Sequence, residues 1–275
     1  MILAQITDLH IKAGGRKAYG RVDTAAALAR CIDRLNTLEP RPDAVLVTGD
    51  LVDAGGADEY ATLKPLLDQL AMPYYLAVGN HDHRENLLAA FPEHAYLAQH
   101  PGFIQYRVDL GPLRIIALDT QHPPHSDGQL CAARLDWLQA QLAACAGRPT
   151  LILMHHPPFQ TGIDHMDAIG LDPASTAALA GLVAAHPNVE QILCGHLHRP
   201  ITTRFAGTLA STAPSTAHQV ALDLRPDGPS AFVLEPGGYV LHQWRPGQGL
   251  VSHVAQVDAA EGPYPFHDAA GVLLD

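Results

Sequence analysis

Short, largely apolar runs recur at Ile2–Ile6, Ala44–Thr48, Tyr74–Val78, Leu113–Leu118, Leu151–Met154 and Ile192–Cys194. Runs of this length read as strands covered on both faces, the pattern of a buried parallel sheet. Between them the apolar spacing changes to three and four. Leu28, Ile32 and Leu35 share one face of a helix predicted over Val22–Leu38, with Asp23 available as its N-cap. The same spacing predicts helices over Asp58–Leu70 and Cys131–Ala146, where Leu135, Leu138 and Leu142 line up, and an Ala-rich helix over Ala174–His186. Strands alternating with helices make a layered α/β fold. After His198 the texture turns β-like, with runs at Thr202–Ala210, Gln219–Leu224, Ser230–Leu234, Tyr239–Trp244 and Leu250–Val257. Asp227-Gly228, Pro236-Gly237-Gly238 and Pro246 to Gly249 supply turns between them.

Five of the apolar runs end in a polar group: Asp8-Leu9-His10, Gly49-Asp50, Gly79-Asn80-His81-Asp82, His155-His156 and Gly195-His196-Leu197-His198. In α/β sheets ligands collect at the carboxyl ends of strands, so groups distant in sequence can meet there. Carboxylate, amide oxygen and imidazole are donors that suit a pair of divalent ions. A D-x-H or an H-H is expected about once by chance in such a chain, whereas Gly-Asn-His-Asp has roughly 0.002 expected occurrences. The ordered set is therefore the signal, and it points to a binuclear metal site.

With these residues the chain resembles the calcineurin-like metallophosphoesterases, whose pattern is D-x-H, G-D, G-N-H-D/E, H and G-H-x-H. Tyr19-Gly20, Arg41 to Asp50, Met154 to Pro158 and Thr216 to Val220 are similar to bacterial binuclear glycerophosphodiesterases and class III cyclic-nucleotide phosphodiesterases. The resemblance implies a four-layer α-β-β-α sandwich, with a catalytic domain over 1–220. It leaves 221–275 as strands of a meander that completes the second sheet, plus an arm.

Carried over residue by residue, the resemblance implies one ion on Asp8, His10, Asp50 and His198. A second would sit on Asp50, Asn80, His155 and His196. His156 would support His155 without binding metal. His81 would contact the substrate phosphate or protonate the leaving group, with Asp82 fixing its imidazole; the other reading of Asp82 is an N-cap for the helix beginning at His83. Tyr19 and His218 would line the substrate pocket. Donors without thiolate fit Mn, Fe(II), Co or Zn. The implied chemistry is hydroxide generated at the metals attacking phosphorus in a small diester, a glycerophosphodiester or a 3′,5′-cyclic nucleotide. A phosphomonoesterase, or a scaffold that has kept only the fold, is the alternative.

Composition narrows the partners. The 275 residues carry 17 Lys and Arg against 28 Asp and Glu, a net charge of −11, with 47 % hydrophobic and 16 % charged residues. That field repels long polyanions, so a polymeric nucleic acid substrate is not expected. No apolar stretch reaches the length of a membrane span. Cys31, Cys131, Cys145 and Cys194 show no C-x-x-C pairing, which fits free thiols and the cytoplasm. Tyr264 and Phe266 in the Pro- and Gly-containing segment 258–275 suggest an arm that packs on a neighbouring subunit in a homo-oligomer.

Overall fold

The computed structural model describes residues 1–144 and 147–274. Cys145, Ala146 and Asp275 lie outside the described residues, so the last two positions of the helix expected over Cys131–Ala146 and the Cys145 thiol are not assigned.

Strands β1 (Ile2–Ile6), β2 (Ala44–Thr48) and β3 (Tyr74–Ala77) run parallel, linked by α1 (Thr24–Thr37) and α2 (Ala57–Leu67). After α3 (Arg84–Ala90), β4 (Tyr106–Leu110) and β5 (Leu113–Ala117) pair antiparallel. A small hairpin, β6 (Gln121–His122) with β7 (His125–Gly128), leads into α4 (Ala132–Ala143). Next come β8 (Thr150–Leu153), the one-turn α5 (Asp164–Asp167), α6 (Pro173–Ala184) and β9 (Val189–Cys194). Three antiparallel pairs follow: β10 (Ile201–Phe205) with β11 (Thr208–Thr212), β12 (Gln219–Val220) with β13 (Phe232–Val233), and β14 (Gly238–Arg245) with β15 (Gly249–Gln256).

One sheet has the order β15-β14-β1-β2-β3 and the other β10-β11-β9-β8-β5-β4. The alternation of side chains along a strand explains the layering. Leu151 and Leu153 of β8 join the core between the sheets, whereas Ile152 and Met154 face the other way onto α4 and α6. Leu28, Ile32 and Leu35 of α1 are buried against the first sheet, and Asp23 caps that helix by accepting from the Ala26 N–H at 3.0 Å. Four layers result, as the resemblance implies.

Two details differ from the sequence reading. The strand expected over Thr202–Ala210 turns at Ala206-Gly207, where both residues have positive φ (49° and 93°), giving the β10–β11 hairpin. The C-terminal runs do not form one meander on the second sheet. β10 and β11 extend that sheet, but β14 and β15 add to the first, with β14 antiparallel to β1.

Candidate metal centre

The carboxyl ends of β1, β2, β8 and β9 converge, and the loops leaving them are laced together. Asp8 N donates to Gly49 O (3.1 Å), His10 N to Asp50 O (3.0 Å) and Gly195 N to His155 O (3.1 Å). Across the two sheets, Gln5 Nε2 donates to Thr48 Oγ1 (3.0 Å) and to Cys194 O (2.9 Å). Asp8, His10, Asp50, His196 and His198 all sit in the left-handed region, with φ of 51°, 44°, 49°, 71° and 51°. That conformation costs a non-glycine residue on the order of 1–3 kcal/mol and clusters where function needs it. Gly49 and Gly79 give the loops room. A Cβ on Gly49 would lie 2.5 Å from His155 Nδ1, and one on Gly79 2.2 Å from Asp50 Oδ1.

Backbone carbonyls fix the tautomers, since a carbonyl can only accept. His155 Nδ1 donates to Thr48 O (2.9 Å) and His198 Nδ1 to His218 O (3.2 Å). Each therefore turns Nε2 inward. His155 Nε2 lies 3.3 Å from Asp50 Oδ2 and 3.3 Å from His196 Nδ1. His198 Nε2 lies 3.2 Å from His10 Nε2 and 3.5 Å from Asp8 Oδ1, while His10 Nε2 is 3.7 Å from Asp50 Oδ2. His156, although beside His155 and His196, has both nitrogens engaged: Nε2 donates to Ser126 O (3.1 Å) and Nδ1 accepts from Thr120 Oγ1 (2.7 Å). No lone pair is left for a metal. Asp8, His10, Asp50, His155, His196 and His198 thus come together as buried groups, with Asn80 at their rim.

The residues fit a pair of cations. Asn80 Oδ1 and His196 Nε2 are buried and lack hydrogen-bond partners among the described residues. Facing imidazole nitrogens at 3.2 and 3.3 Å need a shared proton or cation. The local electrostatics make the same demand. Burial lowers the His155 pKa, but Asp50 and Asp8 outweigh it and raise the value to about 9. Burial raises Asp8 to about 6, whereas Asp50 is held well below the usual carboxylate range, against its own burial, by His155, His81 and His10. Burial pushes His196 and His198 well below the ordinary imidazole range. Neutral imidazoles and ionised carboxylates are the ligand forms.

A cleft of about 460 Å³ opens over this cluster and is lined by Tyr19, Asn80, His81, His218 and Phe232, together with Met166 of α5. Tyr19 stacks on Phe232 (centroids 4.8 Å apart, 28° between planes), and His218 meets both rings edge-on at 5.4 and 5.5 Å. Burial lowers His218 to about 4. Asp82 departs from the expected pairing with His81. Its carboxylate instead accepts from the N–H groups of Leu51 (3.1 Å), Val52 (3.3 Å) and Gly79 (2.8 Å). Backbone donors that converge behind the loop outcompete a neighbouring ring that points into the cleft. Nor does Asp82 cap α3; His83 does, with its ring accepting from Asn86 N. His81 Nδ1 donates to Asp53 O at 2.6 Å.

Asp53, Lys12 and Phe232 escaped the sequence reading. Asp53 and Lys12 follow Asp50 and His10 by three and two residues, but no period links them along loops of positive φ, so their pairing left no signal in the chain. Phe232 had none, because a single aromatic in a short strand gives no hint of the cleft it reaches.

The calcineurin-like phosphoesterase family profile matches residues 1–200. A probable glycerophosphodiester phosphodiesterase of Arcobacter nitrofigilis is 40 % identical over 275 residues, covering 100 % of both chains. A probable cyclic nucleotide phosphodiesterase of Rhodopseudomonas palustris is 38 % identical over 237 residues, covering 85 % of each. Among solved structures, a dimetal phosphatase of Danio rerio superposes with a TM-score of 0.63 at 16 % identity, covering 94 % of this chain and 99 % of its own; a likeness at that identity shows the fold alone. This chain, with its buried Asp and His cluster at the strand ends, belongs to the calcineurin-like phosphoesterases, a family that uses divalent metals.

Proposed function

We propose that the protein is a metal-dependent phosphodiesterase of small diesters, with glycerophosphodiesters and 3′,5′-cyclic nucleotides as its substrate classes. The observation that carries this reading is the convergence of buried imidazole and carboxylate donors, tautomers fixed, beneath an aromatic-walled cleft. The relatives named for those two diester classes, one matching end to end, support it. Asp8, His10, Asp50 and His198 would hold one cation, and Asp50, Asn80, His155 and His196 the other, drawn from Mn, Fe, Co or Zn. When bound, such a pair supplies positive charge to the phosphoryl oxygens and lowers the pKa of water toward neutrality.

The chain's own groups do the rest. His81, whose Nδ1–H is committed to Asp53 O, has Nε2 as its exchangeable position, which suits it to bind a phosphoryl oxygen and deliver a proton to the departing alcohol. Tyr19, His218 and Phe232 wall the leaving-group side. Asp82 acts at one remove, holding the loops that carry Asp50 and Asn80. The catalytic groups all fall within 1–220. Residues 221–275 add Phe232 to the cleft wall, the β14–β15 edge, and an arm whose Phe266 is 81 % exposed; we assign the arm to homo-oligomer contact. Free Cys31, Cys131 and Cys194 suit the cytoplasm. No helix among the described residues is long and apolar enough to cross a membrane. The net charge of −11 disfavours polymeric nucleic acid as substrate.

The test compares bis(p-nitrophenyl) phosphate with p-nitrophenyl phosphate after loading with Mn(II), Co(II) or Zn(II). Turnover of the diester well above that of the monoester is expected. Preference for the monoester would overturn the diester assignment, and inactivity toward both would overturn the enzyme.

A further inference from the structure

Asp53 lies at a junction that the metal ligands alone do not explain. Its Oδ1 is 3.3 Å from His10 Nδ1, on the side of that ring opposite the cluster, and its Oδ2 pairs with Lys12 Nζ. Its backbone oxygen takes the His81 Nδ1–H, and its N–H donates to Ile11 O at 3.2 Å. The Ile11–Val52 bridge and the Ile11 N to Leu51 O bond hold the two loops side by side. One residue therefore touches the outer nitrogen of a cluster imidazole with its side chain and that of the cleft imidazole with its main chain.

We propose that Asp53 is a positioning residue that sets the tautomers of His10 and His81 together, with Lys12 anchoring its carboxylate. The negative charge of Asp53, 3.3 Å from Nδ1, calls for a proton there, so that His10 presents Nε2 to His198 and Asp50. The carbonyl makes the same demand of His81. Lys12 takes the second carboxylate oxygen, so the carboxylate cannot rotate away from His10. This rests on the reading of His10 as a metal ligand for its consequence, though not for the tautomer itself.

The experiment separates the two. In metal-free protein labelled with ¹⁵N at histidine, at alkaline pH where the rings are neutral, ¹H–¹⁵N correlation spectra report each tautomer. Wild type is expected to carry the His10 proton on Nδ1, and Asp53→Ala to lose that preference while circular dichroism is retained. Calorimetric titration with Mn(II) is expected to show one of two ions weakened about 10–100-fold in Asp53→Ala. Asp53→Asn keeps an acceptor and should fall between, which also carries the test if the alanine variant does not fold. An unchanged His10 tautomer in both variants would overturn the proposal. If wild type takes up no Mn(II) while its His10 responds to Asp53 as expected, the metal assignment fails and the positioning role stands.

Discussion

The Tyr60 hydroxyl donates to Asp82 Oδ1 at 3.0 Å and accepts from the His83 N–H at 2.9 Å. Both side chains are buried, and through them α2 supports the Asn80–His81 turn from behind. Burial, and then the charge of Asp50, raises the Asp82 pKa to about 6, so its hydrogen-bond donors matter for keeping it ionised. Tyr60→Phe removes one donor and strands the His83 N–H. A loss of about 1–3 kcal/mol in folding stability is expected, measurable by urea denaturation, with bound-metal content unchanged. Stability equal to wild type would show that Tyr60 merely packs there.

Gly79→Ala tests the crowding around Asp50. The added methyl would fall 2.2 Å from Asp50 Oδ1 and 2.4 Å from its backbone nitrogen, and neither atom can retreat, because Asp50 Oδ1 also accepts from His81 N at 2.9 Å. Displacing a cluster carboxylate by about 1 Å is expected to lower kcat/KM about 10²-fold. Activity within a factor of two of wild type would mean that the loop tolerates the shift.

Most of this centre was legible in the sequence because strand ends leave a local signature: an apolar run, a glycine, then a donor. Gly49-Asp50 and Gly195-His196 obey it for a physical reason, since the donor adopts positive φ and the glycine passes too close to another loop for a Cβ. The choice of His155 over His156 came from the resemblance, and its physical reason lies far away in the chain. It depends on Ser126 O and Thr120, which the β6–β7 hairpin delivers from 30 and 36 residues away. Asp82 misled for the complementary reason: adjacency to His81 in sequence says nothing about where three converging N–H groups will lie. The placing of β14 beside β1 was equally hidden, because both sheets offered an edge to an apolar hairpin.

His81 as proton donor makes a prediction graded by leaving group. His81→Ala should lower kcat about 10²–10⁴-fold for a diester that expels an alkyl alcohol, which needs a proton. For bis(p-nitrophenyl) phosphate, whose leaving phenolate is stable without one, the loss should be much smaller. Steady-state rates on both substrates with equal metal loading decide it. Equal losses on the two would assign His81 to phosphate binding alone.

Acid sensitivity should come in part from His242, which lies away from the metal cluster. Gln5 Nε2 is spent on Thr48 and Cys194, so Gln5 Oε1 accepts from His242 Nε2–H at 3.1 Å, and His242 Nδ1 accepts from Ser252 Oγ at 2.8 Å. Burial lowers this pKa to about 3 from an ordinary 6.5. The folded state therefore binds fewer protons than the unfolded one between those values. Stability from this site is complete above pH 6.5 and is lost as pH falls, at about 1.4 kcal/mol per pH unit, until the folded pKa is reached. His242→Gln preserves one donor and one acceptor without a titrating group. The urea-denaturation stability of His242→Gln relative to wild type should rise steadily between pH 7.5 and 5, by about 2 kcal/mol over that interval. A difference that stays flat across the range would mean that His242 becomes protonated within the fold, with Gln5 and Ser252 rearranging to accept from it.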